Sequence, residues 1–370
     1  MQAAVFYSTH QPLEIEELAV DKPRGREVLL RVAASGLCHS DLHMMRGDIP
    51  CAAPLVLGHE GAGMVEAVGA DVTAFKIGDH VVCCTALYCG NCNPCLSGKS
   101  NRCTQRPGRK GDDPSTITLT NGKRLVQHGS VGAFAEQMLV HENALVHVPR
   151  ALPLDRAALL GCGVLTGAGA VFNAANVQPG SSVVVIGCGG VGLNVVQAAR
   201  IAGAQRIIAV DLAPEKLELA KRFGATDTVP GGAAAVEGVK QCAGGGVDHA
   251  FEVIGLPQTI QQGLQMLAKG GLMTIVGATR FDASITLPSL ALVVNEWRIQ
   301  GSFMGSGPFK RDIPRLASLY LKGSLDLDTL VAERIPLAAV NRGFETMQGG
   351  TQARSVITFD DVLTHAAGHA

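Results

Sequence analysis

Four cysteines packed into fifteen residues constrain this chain more than any other feature of its sequence. They form the run C-x2-C-x2-C-x7-C, which consists of Cys89, Cys92, Cys95 and Cys103. Four thiolates can fill the tetrahedral shell of one zinc ion and leave no position for a substrate, so we predict a structural zinc lobe at about residues 84–105. Two local disulfides are the alternative. They would need an oxidising compartment, and the N-terminal residues do not resemble a secretion signal.

The bulk composition favours a well-packed globular protein. The chain has 370 residues, of which 47% are hydrophobic and 17% charged, so it is long enough for two domains. Its formal net charge of -1 gives no general attraction to nucleic acid or to an anionic membrane. It also lacks an apolar run of about eighteen residues, which a spanning helix needs. We expect a cytoplasmic protein with reduced thiols and with neither nucleic acid nor membrane as a partner.

The first 160 or so residues are typical of short strands. The β-rich runs Glu27–Ala33 and Gly63–Val68 lie between glycine, proline and acidic turns, as strands do in a barrel or sandwich. The segment Asn101–Gly129 is polar and contains several glycines and prolines, so we predict a loop there. Three basic residues of this segment are expected on a solvated rim: Arg106, Arg109 and Lys110.

From Pro179 onward, strand and helix patterns alternate. Ser182–Ile186 is a continuous apolar run of the kind that is buried on both faces of a parallel sheet. Pro214 opens a helix at a position where proline is tolerated. The other predicted elements are a helix at Leu193–Ala202 and strands at Arg206–Val210, Thr226–Val229, His249–Val253, Leu272–Val276 and Arg298–Phe303. This alternation predicts an α/β domain with a doubly wound parallel sheet.

A glycine-rich turn, Gly187-Cys-Gly-Gly-Val-Gly192, follows the first of these strands. Gly187 allows a tight turn, Gly189 lets the backbone approach a pyrophosphate, and Gly192 lets the helix pack on the sheet. The helix that starts near Val191 would direct its free N–H groups at the phosphates. Asp211 ends the next strand, where a carboxylate binds ribose hydroxyls and repels a 2′-phosphate. The turn predicts a Rossmann site for NAD rather than NADP; the alternative is an ordinary strand–turn–helix with a surface aspartate.

Three further segments contain ligand-type residues at long separations. They are Gly36-Leu-Cys-His-Ser-Asp-Leu-His43, Gly58-His-Glu-Gly-Ala-Gly63 and Leu160-Gly-Cys-Gly-Val-Leu-Thr-Gly167. Taken one at a time, each cysteine or histidine is more typical of packing or of a satisfied buried polar group. Spacing alone cannot join them.

Together, and in this order, the motifs resemble those of the zinc-dependent, medium-chain alcohol dehydrogenases. The resemblance runs nearly end to end and includes Gly301-Ser-Phe-Met304. It implies a GroES-like β-rich catalytic domain at residues 1–163, an NAD-binding Rossmann domain at 164–302, and a return to the catalytic domain at 303–370. The active cleft would lie between the two domains.

The resemblance also implies a catalytic zinc held by Cys38, His59 and Cys162, and therefore two zinc ions per chain. An alcohol at the open position of that zinc would lose its proton while its hydride passes to the nicotinamide. By the same resemblance, Ser40 would take this proton and pass it through the cofactor ribose to His43.

Several other roles follow only from the resemblance. Asp41 would hold the zinc-ligand histidine in the correct tautomer, and Glu60 would lie behind the zinc. Thr166 and Val191 would line the nicotinamide pocket. The remaining residues implied in cofactor binding are His39, Gly190, Lys216, Val276 and Arg354. For Lys216 and Arg354, a solvated surface side chain is the alternative.

The resulting prediction is an NAD-dependent alcohol dehydrogenase that interconverts primary or secondary alcohols, including aromatic or terpenoid ones, with aldehydes or ketones. It would be a homodimer joined near Arg298–Phe303. One alternative is a nicotinoprotein that keeps NAD bound and uses an external acceptor. Another is a thiol-adduct formaldehyde dehydrogenase, which Ile49 disfavours because those enzymes carry an acidic residue there. A third is a non-catalytic NAD-binding sensor, which the retained ligands and relay disfavour.

Overall fold

The computed structural model describes residues 1–109, 116–350, 353–359 and 362, which divide into two units. The first unit contains Met1–Cys162, Pro308–Gly323 and the described residues from Leu327 onward; the second contains Gly163–Gly307 and Ser324–Asp326. The segment around Gly305 belongs to the second unit, where the Gly305 carbonyl accepts a hydrogen bond from the Asn173 side chain at 2.9 Å.

The strands and helices are numbered in chain order. The strands are β1 (Gln2–Phe6), β2 (Glu14–Val20), β3 (Glu27–Gly36), β4 (Leu55–Val56), β5 (Glu60–Val68), β6 (His80–Cys83), β7 (Ile117–Leu119), β8 (Arg124–Gln127), β9 (Gln137–His141), β10 (Leu145–His147), β11 (Ser182–Ile186), β12 (Arg206–Asp211), β13 (Asp227–Pro230), β14 (Val247–Glu252), β15 (Leu267–Ile275), β16 (Arg298–Gly301), β17 (Val331–Ile335) and β18 (Arg354–Thr358). The helices are α1 (His39–Arg46), α2 (Asn93–Leu96), α3 (Leu154–Leu159), α4 (Gly163–Gly169), α5 (Gly190–Ile201), α6 (Pro214–Phe223), α7 (Ala235–Ala243), α8 (Pro257–Gln265), α9 (Ser289–Val294), α10 (Phe309–Leu321) and α11 (Val340–Gly349).

The first unit consists of a small closed barrel and a larger mixed sheet. The barrel has the strand order β1-β2-β7-β8-β4, and the larger sheet has the order β10-β6-β5-β3-β18-β17. Strand β3 is long enough to serve two neighbours on one side. Its residues from Glu27 to Arg31 pair with β9, and those from Ala34 to Gly36 pair with β18. This strand therefore connects the N-terminal segment to the C-terminal one.

The predicted loop at Asn101–Gly129 is wrong for its second half. Strands β7 and β8 form a hairpin there, and its inward side chains Ile117, Leu119 and Leu125 are buried in the barrel core. The turn contains Gly122, whose φ is 82° and whose N–H donates to the Leu119 carbonyl at 2.8 Å. An Asn-Gly pair between alternating apolar residues is a hairpin signal, but the polar composition of the segment obscured it.

Arg109, which we predicted on a solvated rim, is largely buried instead. The Arg109 side chain is only 9% exposed, and its guanidinium donates to Glu27 at 2.7 Å and to Asp21 at 2.6 Å. Two carboxylates thus hold this arginine against the start of β3 because a buried guanidinium needs charged partners. Lys110 lies outside the described residues.

The second unit is built on a parallel sheet with the order β13-β12-β11-β14-β15-β16. Helices follow the strands in alternation, so the predicted doubly wound architecture is confirmed. The central strand β11 is buried from Val183 to Ile186, as its continuous apolar run indicated. The neighbouring parallel strands end at similar positions, which brings Ile186, Asp211 and Glu252 to the carboxyl-terminal end of the sheet. In the described part of the chain, no helix combines the length and apolar character needed to cross a membrane.

The corrected barrel hairpin makes a prediction about stability. Ile117 is 2% exposed in the barrel core, whereas Ile77 in the same unit is 68% exposed. Ile117→Ala should lower the free energy of unfolding by roughly 2–5 kcal/mol, because it removes buried methyl groups and leaves a cavity. Ile77→Ala should change it by less than about 0.5 kcal/mol. Urea unfolding followed by circular dichroism measures both values, and equal losses would contradict the hairpin.

Candidate metal and cofactor sites

The four-cysteine run folds into a lobe whose sulfur atoms converge. The Sγ–Sγ distances are 3.9 Å for Cys89–Cys95, 3.4 Å for Cys92–Cys95 and 3.8 Å for Cys92–Cys103. Four sulfurs held about 2.3 Å from one zinc ion would stand about 3.8 Å apart, so the quartet fits a tetrahedral ion. A disulfide needs a separation of about 2.05 Å. All eleven cysteines lie in described parts of the chain, and all are free thiols.

Backbone N–H groups of the lobe point at these sulfurs. Cys89 accepts from the N–H groups of Asn91 at 3.4 Å and Cys92 at 3.3 Å. The N–H groups of Thr104 and Cys95 lower the pKa of Cys92 to about 6. Burial and the hydrogen bond with Cys92 raise the pKa of Cys95 to about 12. The quartet therefore yields a first thiolate easily and holds further protons that a bound metal would displace.

A second group of ligand-type side chains converges inside the first unit. Cys38, His59, Glu60 and Cys162 are all buried, and their ligand atoms lie within 4.8 Å of one another. The pairing of β3 with β5 sets Gly36 opposite Glu60, which brings Cys38, two residues after β3, close to His59, the residue before β5. The fourth residue follows α3, which packs against both strands. Strand register thus joins residues that sequence spacing could not.

Two glycines allow this close convergence. A Cβ on Gly36 would overlap Glu60 and lie 2.9 Å from the Leu159 side chain. A Cβ on Gly161 would overlap the carbonyl of Cys83 in β6. Neither position can carry a side chain without moving the chain segments that hold the ligand atoms.

The pKa values of the two thiols in this group shift in opposite directions. A hydrogen bond from Cys162 lowers the pKa of Cys38 far below its usual range despite burial, and the charge of His59 adds to the effect. The same hydrogen bond and burial hold the pKa of Cys162 well above its usual value. Two sulfurs and one imidazole nitrogen are a donor set suited to zinc, and three protein ligands of this kind leave a position for a further ligand.

Asp41 orients the imidazole of this group. Its Oδ1 lies 3.2 Å from Nδ1 of His59, so that nitrogen carries the proton and Nε2 is left facing the thiols. Burial alone would raise the pKa of Asp41. The charge of His59 and hydrogen bonds from His128 and His59 outweigh burial and lower this pKa to about 2. The carboxylate is therefore charged at neutral pH.

Glu60 and Arg354 form a buried ion pair behind the thiols. The Arg354 guanidinium contacts the Glu60 carboxylate and donates to the Leu37 carbonyl at 2.8 Å. Burial raises the pKa of Glu60, and the charge of the Arg354 guanidinium opposes this shift and favours the carboxylate. Arg354 is only 6% exposed, so the alternative of a solvated surface arginine is wrong.

Helix α1 carries the residues expected in the proton relay. Ser40 and His43 are three positions apart, which places them on one face of the helix. The Ser40 Oγ lies 3.7 Å from the Cys38 Sγ, while Nδ1 of His43 lies 2.9 Å from Asp48. His39 is exposed at the first turn. Asp48 had no role in the sequence reasoning, because nothing in its spacing distinguishes it from a turn residue.

The glycine-rich turn of the second unit fits a dinucleotide. Gly187 has a φ of 99°, and a Cβ on Gly192 would overlap the Gly187 carbonyl. A Cβ on Gly189, in contrast, would meet nothing within 4 Å, so the backbone there has open space beside it. Helix α5 begins at Gly190, directly after this space. Its unpaired first N–H groups suit an anion.

Asp211 stands at the end of β12, next to the turn. Its two carboxylate oxygens accept from the N–H groups of Cys188 at 2.8 Å and Ala213 at 3.0 Å. Each oxygen has a further lone pair for a ribose hydroxyl. Lys216 is half-buried in the first turn of α6.

Thr166 and Val191, which we predict to line the nicotinamide pocket, both belong to the second unit. Gly167 in α4 approaches the Val191 carbonyl so closely that a Cβ would lie 2.5 Å from it. The neighbouring Thr166 has a buried hydroxyl oxygen with no hydrogen-bond partner among the described residues. Val276 follows β15 at the carboxyl-terminal end of the sheet, and its N–H donates to the Glu252 carbonyl at 2.8 Å.

Two more residues of these sites escaped the sequence reasoning. Glu252 is fully buried, and its Oε1 accepts from the N–H groups of Ile254 at 3.0 Å and Gly255 at 2.8 Å, which shapes the turn beside Gly187. Its only signal in the sequence was its position as a charged residue near the end of a predicted strand. His128 lies 2.9 Å from Asp41, although it belongs to the segment predicted as a loop.

Comparison with known proteins places these sites in a family. Residues 24–150 match the family model described as the alcohol dehydrogenase GroES-like domain, and residues 190–322 match the zinc-binding dehydrogenase model. Alcohol dehydrogenase class-3 of Drosophila melanogaster is 37% identical over 371 residues, covering 97% of each chain.

Solved structures of similar proteins support the same family assignment. Benzyl alcohol dehydrogenase from Acinetobacter calcoaceticus superposes with a TM-score of 0.91 at 34% identity, covering 97% of this chain and 99% of that chain. Acetophenone reductase from Geotrichum candidum, solved in complex with NAD, gives a TM-score of 0.81 at 28% identity and covers 97% of both chains.

Fold and sites thus define a two-unit oxidoreductase with a Rossmann sheet and a buried thiol–imidazole cluster. The chain belongs to the zinc-dependent alcohol dehydrogenase family.

Proposed function

We propose that this protein is an NAD-dependent alcohol dehydrogenase that reversibly oxidises primary or secondary alcohols to aldehydes or ketones. The observation that carries the proposal is the buried convergence of Cys38, His59 and Cys162, which supplies three zinc ligands of the right chemistry. The cysteine quartet is proposed to hold a second, structural zinc. Eleven free thiols suit the reduced cytoplasm, which we propose as the compartment.

A zinc ion bound by the three ligands supplies a Lewis acid that polarises an alcohol or carbonyl oxygen. The side chains around it keep the ligands in their working state. Asp41 holds the proton of His59 on Nδ1, so Nε2 stays available for the metal. The Arg354 guanidinium stabilises negative charge on Glu60 and on the thiols behind the reacting centre.

The proton that the alcohol releases needs an acceptor. Helix α1 carries a hydroxyl group close to the thiols: the Ser40 Oγ lies 3.7 Å from the Cys38 Sγ. His43, one turn further along, is a base whose ordinary pKa is near neutral. Asp48 holds the His43 ring through Nδ1, which leaves Nε2 to accept a proton. We assign Ser40 the first transfer and His43 the exchange with solvent.

Bound NAD supplies the hydride acceptor, and the second unit provides the groups that hold it. The open space beside Gly189 and the start of α5 suit the pyrophosphate. Asp211 suits the adenosine ribose and would repel a 2′-phosphate. The buried, unpaired hydroxyl of Thr166 is a donor that a carboxamide or ribose oxygen can satisfy. We also propose that four further residues contact the bound cofactor: His39, Lys216, Val276 and Arg354.

The substrate class is proposed from two sources. The alcohol chemistry comes from the family, and the neighbours named for benzyl alcohol and acetophenone favour aromatic substrates. A panel should therefore contain benzyl, terpenoid and short aliphatic alcohols.

We also propose a homodimer in which β16 meets its copy from a second chain. Strand β16 is the outer strand of the described parallel sheet, and an open edge can pair with another strand. Helix α9, directly before it, has no buried residue, and its Leu290, Val293 and Val294 are 60–74% exposed. A two-fold axis would cover this apolar face with the same face of the partner.

The zinc assignment predicts the effect of removing one ligand. The wild-type protein should contain about two zinc ions per chain by elemental analysis. Cys38→Ser should reduce this number to about one and lower kcat at least about 100-fold, because even outer contacts of a metal site are worth 10–100-fold. Cys242→Ser, which changes a half-buried thiol on α7, should alter neither value. Full activity of Cys38→Ser would sink the assignment.

The cofactor assignment predicts a preference. Across the alcohol panel, kcat/KM with NAD should exceed that with NADP by more than about tenfold, because a carboxylate facing a phosphate costs several kcal/mol. Asp211→Ala should reduce the ratio of kcat/KM with NAD to kcat/KM with NADP. Gly189→Ala should weaken NAD binding but leave the melting temperature unchanged, since its Cβ meets no protein atom. A preference for NADP would refute this reading, and turnover without added cofactor would favour the nicotinoprotein.

The dimer proposal predicts a mass of about twice 38.4 kDa in sedimentation equilibrium. Leu290→Lys should shift the protein toward the monomer, because a charge buried at a two-fold interface faces its own copy. Ile77→Lys changes a side chain that is 68% exposed on the first unit and should leave the mass unchanged. A monomeric wild-type protein would exclude the dimer.

A further inference from the structure

We propose that His128 is a positioning residue for the catalytic metal: it holds the Asp41 carboxylate in place and thereby fixes the imidazole of His59 for zinc binding. The inference rests on the proposed zinc site. It adds a residue from the segment that sequence reasoning assigned to a loop.

The Asp41 carboxylate is held through one oxygen. Its Oδ1 receives three contacts, from the Gly58 N–H at 3.1 Å, Nδ1 of His59 at 3.2 Å and Nδ1 of His128 at 2.9 Å. Its Oδ2 is buried and has no hydrogen-bond partner among the described residues. Because nothing restrains the second oxygen, the orientation of the carboxylate depends on these three donors. The contact from His128 is the shortest of them.

His128 also touches the zinc-ligand histidine directly. The rings of His59 and His128 meet edge to face, with centroids 4.8 Å apart and an interplanar angle of 67°. A rotation of the His59 ring about its χ2 angle would therefore meet a packed neighbour. His128 is not among the residues gathered around the two thiols, which are Cys38, His59, Glu60 and Cys162. It forms a neighbouring group with Asp41 and His59, whose ligand-type atoms also lie within 4.8 Å of one another. In that group, Nδ1 of each histidine faces the Asp41 Oδ1.

The backbone around His128 is built to hold this side chain. It begins a short 3₁₀ turn, His128–Ser130, directly after β8. Gly129 has a φ of 57°, and a Cβ there would lie 2.5 Å from the Thr85 side chain. The His128 carbonyl accepts from the Val131 N–H at 2.9 Å, and the side chain is only 13% exposed. The turn thus fixes the direction in which the imidazole leaves the chain.

A chain of two contacts can influence a metal site measurably. Partners one step beyond the ligands typically contribute 10–100-fold to metal affinity. His128 stands one step further out, behind Asp41, so we expect an effect near the lower end of that range.

Two substitutions separate the two contacts of His128. His128→Asn keeps an N–H donor at the position of Nδ1 but removes the ring, whereas His128→Phe keeps a ring of similar size and removes the donor. His147→Phe is the matched control, because that histidine stacks on Phe75 in the same unit and bonds the Ala74 carbonyl rather than Asp41.

The readout is the rate at which a chelator extracts zinc from the purified holoprotein, with the cysteine-quartet zinc as the internal reference. His128→Phe should release the catalytic zinc about tenfold faster than the wild type, with the reference zinc unchanged. His128→Asn and His147→Phe should stay close to the wild-type rate. Cobalt substituted at the catalytic site should show an altered d–d absorption only in His128→Phe.

The possible outcomes are distinct. Unchanged release from His128→Phe, or an equal acceleration at both zinc sites, would overturn the positioning role, since the second result indicates general destabilisation. A wild-type protein that binds only the reference zinc would instead refute the proposed function on which this inference rests.

Discussion

The pairing of β3 with β5 is the constraint on which the first unit depends. It sets Gly36 opposite Glu60, which brings Cys38, two residues after Gly36, close to His59, the residue before Glu60. A shift of the register by one residue would turn every side chain of one strand to the other face and separate the two ligands. The same end of β3 pairs with β18, which delivers Arg354 from the C-terminal segment to the back of the cluster.

Burial gives this cluster its chemical character. Thiols, a carboxylate and a guanidinium lie together where water cannot screen them, so each proton is strongly coupled to its neighbours. The pKa of Cys38 falls, that of Cys162 rises, and Asp41 remains charged with a pKa of about 2. A buried charge is costly when it has no counter-charge, so a cation at this position would relieve the cluster. In the cysteine lobe, whose thiols are buried or half-buried, backbone N–H groups stabilise the negative charge on sulfur instead.

Local signals predicted the features that depend on neighbouring residues along the chain. The apolar run of β11, the glycine-rich turn and the proline that opens α6 are confirmed, although element ends shift by a few residues. The strand predicted at Leu272–Val276, for example, is observed as a longer strand, Leu267–Ile275. The polar segment before Gly129 misled the prediction, because buried Ile117 and Leu125 alternate with residues that face water.

The sequence by itself determined the two features that short segments encode: the four-thiol lobe, whose ligands stand within fifteen residues, and the strand–turn–helix with its acidic partner. The tertiary structure alone decided which distant groups meet. Cys162 joins Cys38, Arg354 is buried against Glu60, and His128 reaches Asp41 across 87 positions. Such contacts follow from strand register and packing, which connect residues without regard to their distance along the chain, so no local pattern could reveal them.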